Sequence, residues 1–208
     1  MTRGRFMVFE GGEGCGKSTQ AARLAERLDA LLTHEPGGTT VGAQLRELTL
    51  SRATERLDDR AEALLMAADR AQHVTEVVEP ALRAGRHVVC DRYIGSSVAY
   101  QGYGRGLDPD MVRAVSGWAA GGLWPDVTVL LSVPDEVAAA RTGGARDRIE
   151  DAGDDFHRRV LDGFREQLLD EPESWVEVDG SGSPDEVEEL VLDALADALP
   201  DLDLDAKG

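Results

Sequence analysis

The chain has 208 residues, of which 42% are hydrophobic and 30% charged, with a formal net charge of −18 and a pI near 4.5. That length is ample for a buried core, and that charge argues against non-specific binding to nucleic acid or to anionic membrane surfaces. No apolar run approaches the roughly 18 residues that span a bilayer, and Met1–Arg5 leads directly into an apolar strand without a leader, so a cytoplasmic protein is expected. Cys15 and Cys90 form neither a metal-ligand spacing nor a disulfide framework. Lys17 and Lys207 are the only lysines among 22 basic residues, a bias that fits either a GC-rich genome or a halophilic source.

The first strand, Phe6–Phe9, breaks into Gly11-Gly12-Glu13-Gly14-Cys15-Gly16-Lys17-Ser18-Thr19 and restarts as a helix from Lys17 to Asp29. The loop fits G-x-x-x-x-G-K-[ST]. Its glycines let successive backbone N–H groups turn toward phosphate oxygens, and the following helix points its positive end at the same anion. Lys17 is then placed to reach the β/γ-phosphates and the Ser18 hydroxyl to ligate Mg²⁺. A nucleoside triphosphate is itself an anion, so in a chain of net charge −18 a local arginine cluster must offset the overall field.

Leu31–Thr33 reads as a second strand, followed by the turn-rich Glu35-Pro36-Gly37-Gly38-Thr39 and a helix over Val41–Leu50. A longer helical pattern runs from Asp58 to Ala84, with Ala61, Leu64, Leu65, Ala68, Ala71, Val74, Val77 and Val78 on its apolar face and a kink expected at Pro80. His87–Asp91 is a β-branched run ending in an acid, the form of the metal-associated carboxylate of P-loop enzymes. Ser96–Gln101 reads as helical, and Asp108-Pro109 as a helix start. Val127–Val133 suits a parallel strand buried on both faces. Pro134–Arg141 is a helix, and the glycine-, arginine- and acid-rich stretch from 142 to 153 has the composition of a mobile segment and not of a core. Phe156–Leu168 is helical, Trp175–Val178 a last strand, Asp185–Leu199 a last helix, and 200–208 an acidic, frayed tail. The alternation implies one α/β domain over 1–208, a central parallel five-stranded sheet flanked by helices, with Glu10, Glu35 and Asp91 on its carboxyl rim.

Lysine scarcity excludes the Asn-Lys-x-Asp guanine-reading segment of regulatory GTPases, and the chain is too short for a typical motor or transporter ATPase, which leaves a small kinase. The P-loop, Glu35-Pro36-Gly37-Gly38-Thr39, Ala68-Asp69-Arg70-Ala71-Gln72-His73, Asp91-Arg92-Tyr93 with Ser96–Gln101, and Asp147-Arg148-Ile149-Glu150 together resemble the thymidylate kinase family, in its order and approximate spacing, from Phe6 to about Leu199. The resemblance implies a nucleoside-monophosphate-kinase-like fold, transfer of the γ-phosphoryl of ATP to dTMP with Mg²⁺, and a homodimer to which the Asp58–Ala84 helix can contribute.

It also implies roles. Arg70 holds the thymine edge, Arg92 the acceptor phosphate, and Glu13 the sugar 3′-hydroxyl, with Pro36 in the acceptor wall. Ser97 faces the base, Tyr100 fills the space of a ribose 2′-hydroxyl, and Gln101 is a further candidate on the same element. Asp91 holds the metal or orients Lys17. With Gly14 where some relatives carry a basic residue, the transferring phosphoryl group falls to the lid arginines Arg146 and Arg148, with Arg141 against adenine. Two positions depart from the pattern: Met66 stands where an aromatic residue stacks on thymine, and His34 where an arginine often precedes Glu-Pro-Gly-Gly. Met66 keeps open a kinase for another small acceptor, such as a different deoxynucleoside monophosphate; the second alternative is a catalytically weak nucleotide-binding regulator, against which an intact Lys17, Ser18, Asp91 and lid argue. Taken singly, Arg70 and Arg92 also suit surface ion pairs, and Met66 a helix core position.

Overall fold

The computed structural model describes residues 3–54, 56–143 and 147–204. Among these, five parallel strands form one sheet in the order β2-β3-β1-β4-β5: β1 Phe6–Glu10, β2 Leu31–His34, β3 Val88–Asp91, β4 Val127–Ser132 and β5 Trp175–Asp179. β1 is buried along its whole length. Its alternate residues enter two cores: Met7 and Phe9 pack with α1 (Lys17–Arg27) and α9 (Pro184–Ala198), and Phe6 and Val8 with helices on the opposite face. That is the two-fold alternation of a strand covered on both sides.

The chain moves from β1 outward to β2, back to β3, and then across to β4 and β5, so the topology reverses beside the carboxyl end of β1. The P-loop leaves the sheet at that crevice, where open α/β sheets take their ligands. The register sets Asp91 beside Phe9 on one side and His34 on the other, which brings the ends of β1, β2 and β3 to one rim.

Most expected elements appear within a residue or two, and Asp108 caps α6 (Pro109–Ala119) as read, accepting from Asp110 N–H. Three features differ. The 58–84 pattern is α3 (Asp59–His73), a π turn (Val74–Val78) and α4 (Glu79–Arg83), so the helix changes register before Pro80, whose missing N–H cannot continue the ladder. α3 also buries the face opposite to the one expected: Glu62, Ala67, Asp69, Arg70 and His73 are inside, while Leu64 is 60% exposed. The Ser96–Gln101 helix is a short α5 (Ile94–Ser97) that widens into a π segment, Val98–Gly104. This segment packs against α8 (Asp154–Asp170) so closely that a Cβ on Gly104 would lie 2.6 Å from the Phe156 ring. Finally, the tail is packed through 204: Leu202 joins the core under α1 and α9, and Arg27 donates to the Leu204 carbonyl.

Candidate active site

The P-loop geometry follows from its glycines. Gly11 has φ +139°, and a Cβ there would sit 2.4 Å from the Leu131 carbonyl oxygen, so no other residue fits between β1 and β4. Gly14 has φ +72°, and a Cβ would lie 2.6 Å from the carbonyl oxygen of Ala138 on α7 (Asp135–Arg141). Lys17 opens α1 and is nearly buried; its ammonium donates to the Gly12 carbonyl at 2.6 Å and lies 3.5 Å from Cys15 Sγ. The ammonium thus lies folded back across the loop.

Ser18 Oγ donates to Asp91 Oδ2, and Asp91 Oδ1 is buried without a partner. A hydroxyl next to a free carboxylate oxygen is a hard-oxygen donor set of the kind Mg²⁺ shares with phosphate ligands. No group of three or more His, Cys, Asp or Glu among the described residues is placed to hold a metal ion by itself.

Arg92 follows β3 with φ +71°, a left-handed backbone on a non-glycine residue that costs about 1–3 kcal/mol and persists only where its surroundings enforce it. The enforcement is visible. Arg92 N–H bonds the Phe9 carbonyl at 2.9 Å, and the buried Glu10 carboxylate accepts from Tyr93 N–H at 2.9 Å and from Ser96 N–H at 2.8 Å. Burial raises the Glu10 pKa against these bonds. The Arg92 side chain pairs with Glu13, donates to the Gly11 carbonyl and Ser96 Oγ at 3.1 Å each, and lies over the Tyr100 ring. Burial acts to raise the Glu13 pKa, but Arg92 and Lys17 outweigh it and hold the carboxyl below its ordinary value. Glu13 is therefore an anion at neutral pH.

The facing wall is the inward side of α3. Arg70 is 2% exposed; its Nη2 donates to the Tyr93 carbonyl and Ser97 Oγ and pairs with Glu35 at 2.9 Å, while Nε and Nη1 are buried without partners. His73 bridges Glu35 Oε1 at 2.8 Å and Thr33 Oγ1 at 2.6 Å, so it is structural as its surroundings require. Asp69 accepts from Gly37 N–H at 2.9 Å and ties α3 to the Glu35–Thr39 turn, whose Glu35–Pro36 bond is cis. Burial, then repulsion from Glu35, raises the Asp69 pKa.

Lys17, Ser18, Asp91, Arg92, Glu13, Arg70, Met66, Pro36, Ser97, Tyr100 and Gln101 all line one cleft of about 570 Å³. His34 is on its rim; burial and then Arg46 push its pKa down, so it is neutral at pH 7 where an arginine would be charged. A second cleft of about 740 Å³ opens across the P-loop, lined by Gly11–Cys15, Val133 and Arg141. Arg141 donates to the carbonyls of Gly180, Ser181 and Gly182, which fixes its guanidinium on that wall.

Of the two lid arginines expected to serve the transferring phosphoryl group, Arg148 makes contacts other than the expected ones. Arg146 lies outside the described residues. Arg148 lines neither cleft: its N–H bonds the Leu50 carbonyl at 3.1 Å, its Nε bonds the Thr49 carbonyl at 2.9 Å, and its Nη2 pairs with buried Glu62. A carboxylate with no solvent access needs a cation, and Glu62 has claimed this one. Here Arg148 ties the lid segment to Thr49, Leu50 and Glu62. Sequence reasoning passes over Glu62 itself, along with Ser96. The signal for Glu62 lies in the spacing of Glu62, Met66, Asp69, Arg70 and His73, which is that of one helical face.

Comparison with known proteins places these features in a family. The thymidylate kinase family model matches residues 9–191. A thymidylate kinase of Synechococcus sp. (strain JA-2-3B'a(2-13)) is 48% identical over 94% of this chain and 96% of its own length, and that of Cutibacterium acnes is 48% identical over 90% and 94%. The crystal structure of thymidylate kinase from Ehrlichia chaffeensis superposes with a TM-score of 0.78 at 30% identity, covering 93% of this chain and 98% of that one. With a P-loop at the sheet's switch point and an arginine-lined cleft beside it, the chain belongs to the thymidylate kinase family, nucleoside monophosphate kinases of the P-loop fold.

Proposed function

We propose that this enzyme transfers the γ-phosphoryl group of ATP to dTMP, giving dTDP and ADP. The observation that carries the reading is a single cleft in which the phosphate-binding Lys17 and Ser18 face Arg92 and the unsatisfied donors of Arg70. ATP would lie across the P-loop with its base toward Arg141, and dTMP would fill the cleft between Arg92 and α3. Mg²⁺ held by Ser18 and the nucleotide oxygens, with Asp91 beside it, would neutralise charge on the β- and γ-phosphates.

The chain's own residues then divide the work. Lys17 swings from the Gly12 carbonyl to the β/γ-phosphates. Arg92 exchanges Glu13 for the acceptor phosphate, where a guanidinium makes bidentate contacts, and Glu13 turns to the sugar 3′-hydroxyl. Arg70 donates Nε and Nη1 to the base, with Ser97, Gln101 and Pro36 around it and Met66 against its face through a polarizable sulfur. Tyr100 occupies the space of a 2′-hydroxyl. Because a Cβ at position 14 meets α7, positive charge for the transferring group comes from the lid through Arg146, with Arg148 anchoring that segment.

No helix among the described residues is long and apolar enough to cross a membrane, and we place the enzyme in the cytoplasm. We also propose a homodimer: α3 and α6 pack on each other and carry outward Leu64, Met111 and Trp118, the last 83% exposed. Sedimentation of wild type and Leu64→Asp should give a dimer and a monomer; two monomers would remove this proposal. The activity is tested by ADP release with dTMP, dUMP, dCMP, dGMP and AMP as acceptors. Highest kcat/KM for dTMP is expected. Turnover of none would sink the kinase reading, and preference for AMP the thymidylate one.

A further inference from the structure

Glu62 lines neither cleft, yet it is among the most enclosed charges in the protein, with 0% exposure on the inward face of α3. Gln101 Nε2 donates to its Oε1 at 2.8 Å, Arg105 donates from Nε at 3.2 Å and from Nη2 at 3.0 Å, and Arg148 pairs from the lid segment. A buried carboxylate is costly unless fully partnered. These partners come from the π segment, from the residue just after it, and from the lid.

We propose that Glu62 is a positioning residue that selects the acceptor base, by fixing which end of the Gln101 amide the cleft receives. An ionised carboxylate only accepts hydrogen bonds. Burial acts to raise the Glu62 pKa, but Arg105, Gln101 and Arg148 outweigh it, so the group is ionised at neutral pH. Gln101 must therefore turn its NH₂ to Glu62, which leaves the carbonyl oxygen as the end available to the cleft that Gln101 lines. An acceptor there pairs with a ring N–H and repels a ring nitrogen lone pair. Arg70 supplies the complementary donors from two buried nitrogens without partners, Nε and Nη1, which suit a carbonyl. Together they match a pyrimidine with a 4-oxo group and an N3–H. Cytosine presents an amino group and a bare ring nitrogen to the same pair. Without a fixed acceptor opposite the amide, Gln101 could flip and meet cytosine's ring nitrogen with a donor.

The inference rests on the dTMP kinase reading, so wild type is assayed first: no turnover of dTMP would overturn both. With that activity in hand, kcat/KM is measured for dTMP and dCMP in wild type and Glu62→Gln, with an inhibition constant for dCMP where turnover is too slow. The neutral amide that Glu62→Gln introduces can donate or accept, so the dTMP:dCMP preference should fall roughly tenfold, the scale of one hydrogen bond, while the KM for ATP stays within about twofold. Glu62→Asp, which remains acceptor-only, should retain more of the preference than Glu62→Gln despite its shorter reach. A role in stability alone would lower both acceptors in parallel; an unchanged preference overturns the proposal. Should Glu62→Gln fail to fold, Gln101→Leu decides, since it leaves Glu62 with Arg105 and Arg148. The same loss of preference is expected, and its absence would equally overturn the idea.

Discussion

The two walls of the cleft are built on opposite principles. On the P-loop side the wall is mostly backbone: Gly11, Gly14 and Gly16 stand at positive φ, and Lys17 lies folded onto the Gly12 carbonyl. On the α3 side the wall is made of side chains, each held by another buried polar group. Arg70 is gripped by Glu35, Glu35 by His73, and Gln101 by Glu62. A backbone cradle is local in sequence and indifferent to most neighbours. A side-chain wall is specific to its ligand but depends on every partner, because removing one leaves a buried charge unpaired.

Substitutions can separate the walls. Lys17→Ala should have the largest effect, a loss of kcat by a factor of about 10³ or more, with dTMP affinity by calorimetry changed less than about threefold. A parallel loss of dTMP binding would mean that the walls do not act separately. Arg70→Ala should raise the KM for dTMP about 100-fold, the scale of a charged hydrogen bond, and, by stranding Glu35, should lower stability by about 3 kcal/mol in urea. A variant with normal stability would show that Glu35 is not dependent on Arg70. Met66→Phe should lower the KM for dTMP by roughly two- to tenfold, the worth of aromatic stacking; an unaltered KM would place Met66 away from the base.

The smallest effect concerns pH. The folded-state pKa of Glu62 lies below the ordinary 4.5, so its stabilisation is complete above that value and is lost as pH falls through the folded pKa. The stability difference between wild type and Glu62→Gln should therefore be constant from pH 7 to about 5.5 and shrink in more acid solution. A difference that shrank toward alkaline pH would contradict the ionised state assigned here.

The same contrast explains what the sequence discloses. Gly11 to Thr19 and the run ending at Asp91 are legible because their constraints are local: a turn only glycine can make, and a strand ending in an acid. The sheet follows from strand–helix alternation. α3 is misread wherever apolar periodicity is equated with the inside, since Ala61, Leu64 and Ala68 form the outer face and a stripe of charges the inner one. Polar residues can line the interior only when partners from distant segments meet them. Tyr93, Gln101, Arg105 and Arg148 are such partners, and none adjoins α3 in sequence. Arg148 reads as a chemical group for the same reason, since its pairing with Glu62 joins residues 86 positions apart.

The crowding at Gly14 carries a consequence for how this chain can change. Any side chain there must displace the backbone of Ala138, so an arginine cannot migrate into the loop by one substitution. It would require α7 to shift first, and α7 also carries Arg141, whose three carbonyl contacts hold the 180–182 loop. Two routes of supplying charge to the same reaction are thereby separated by a structural barrier. On the lid role proposed above, a lineage with this packing stays committed to its lid, and an engineer wishing to place an arginine in the loop must rebuild a helix first.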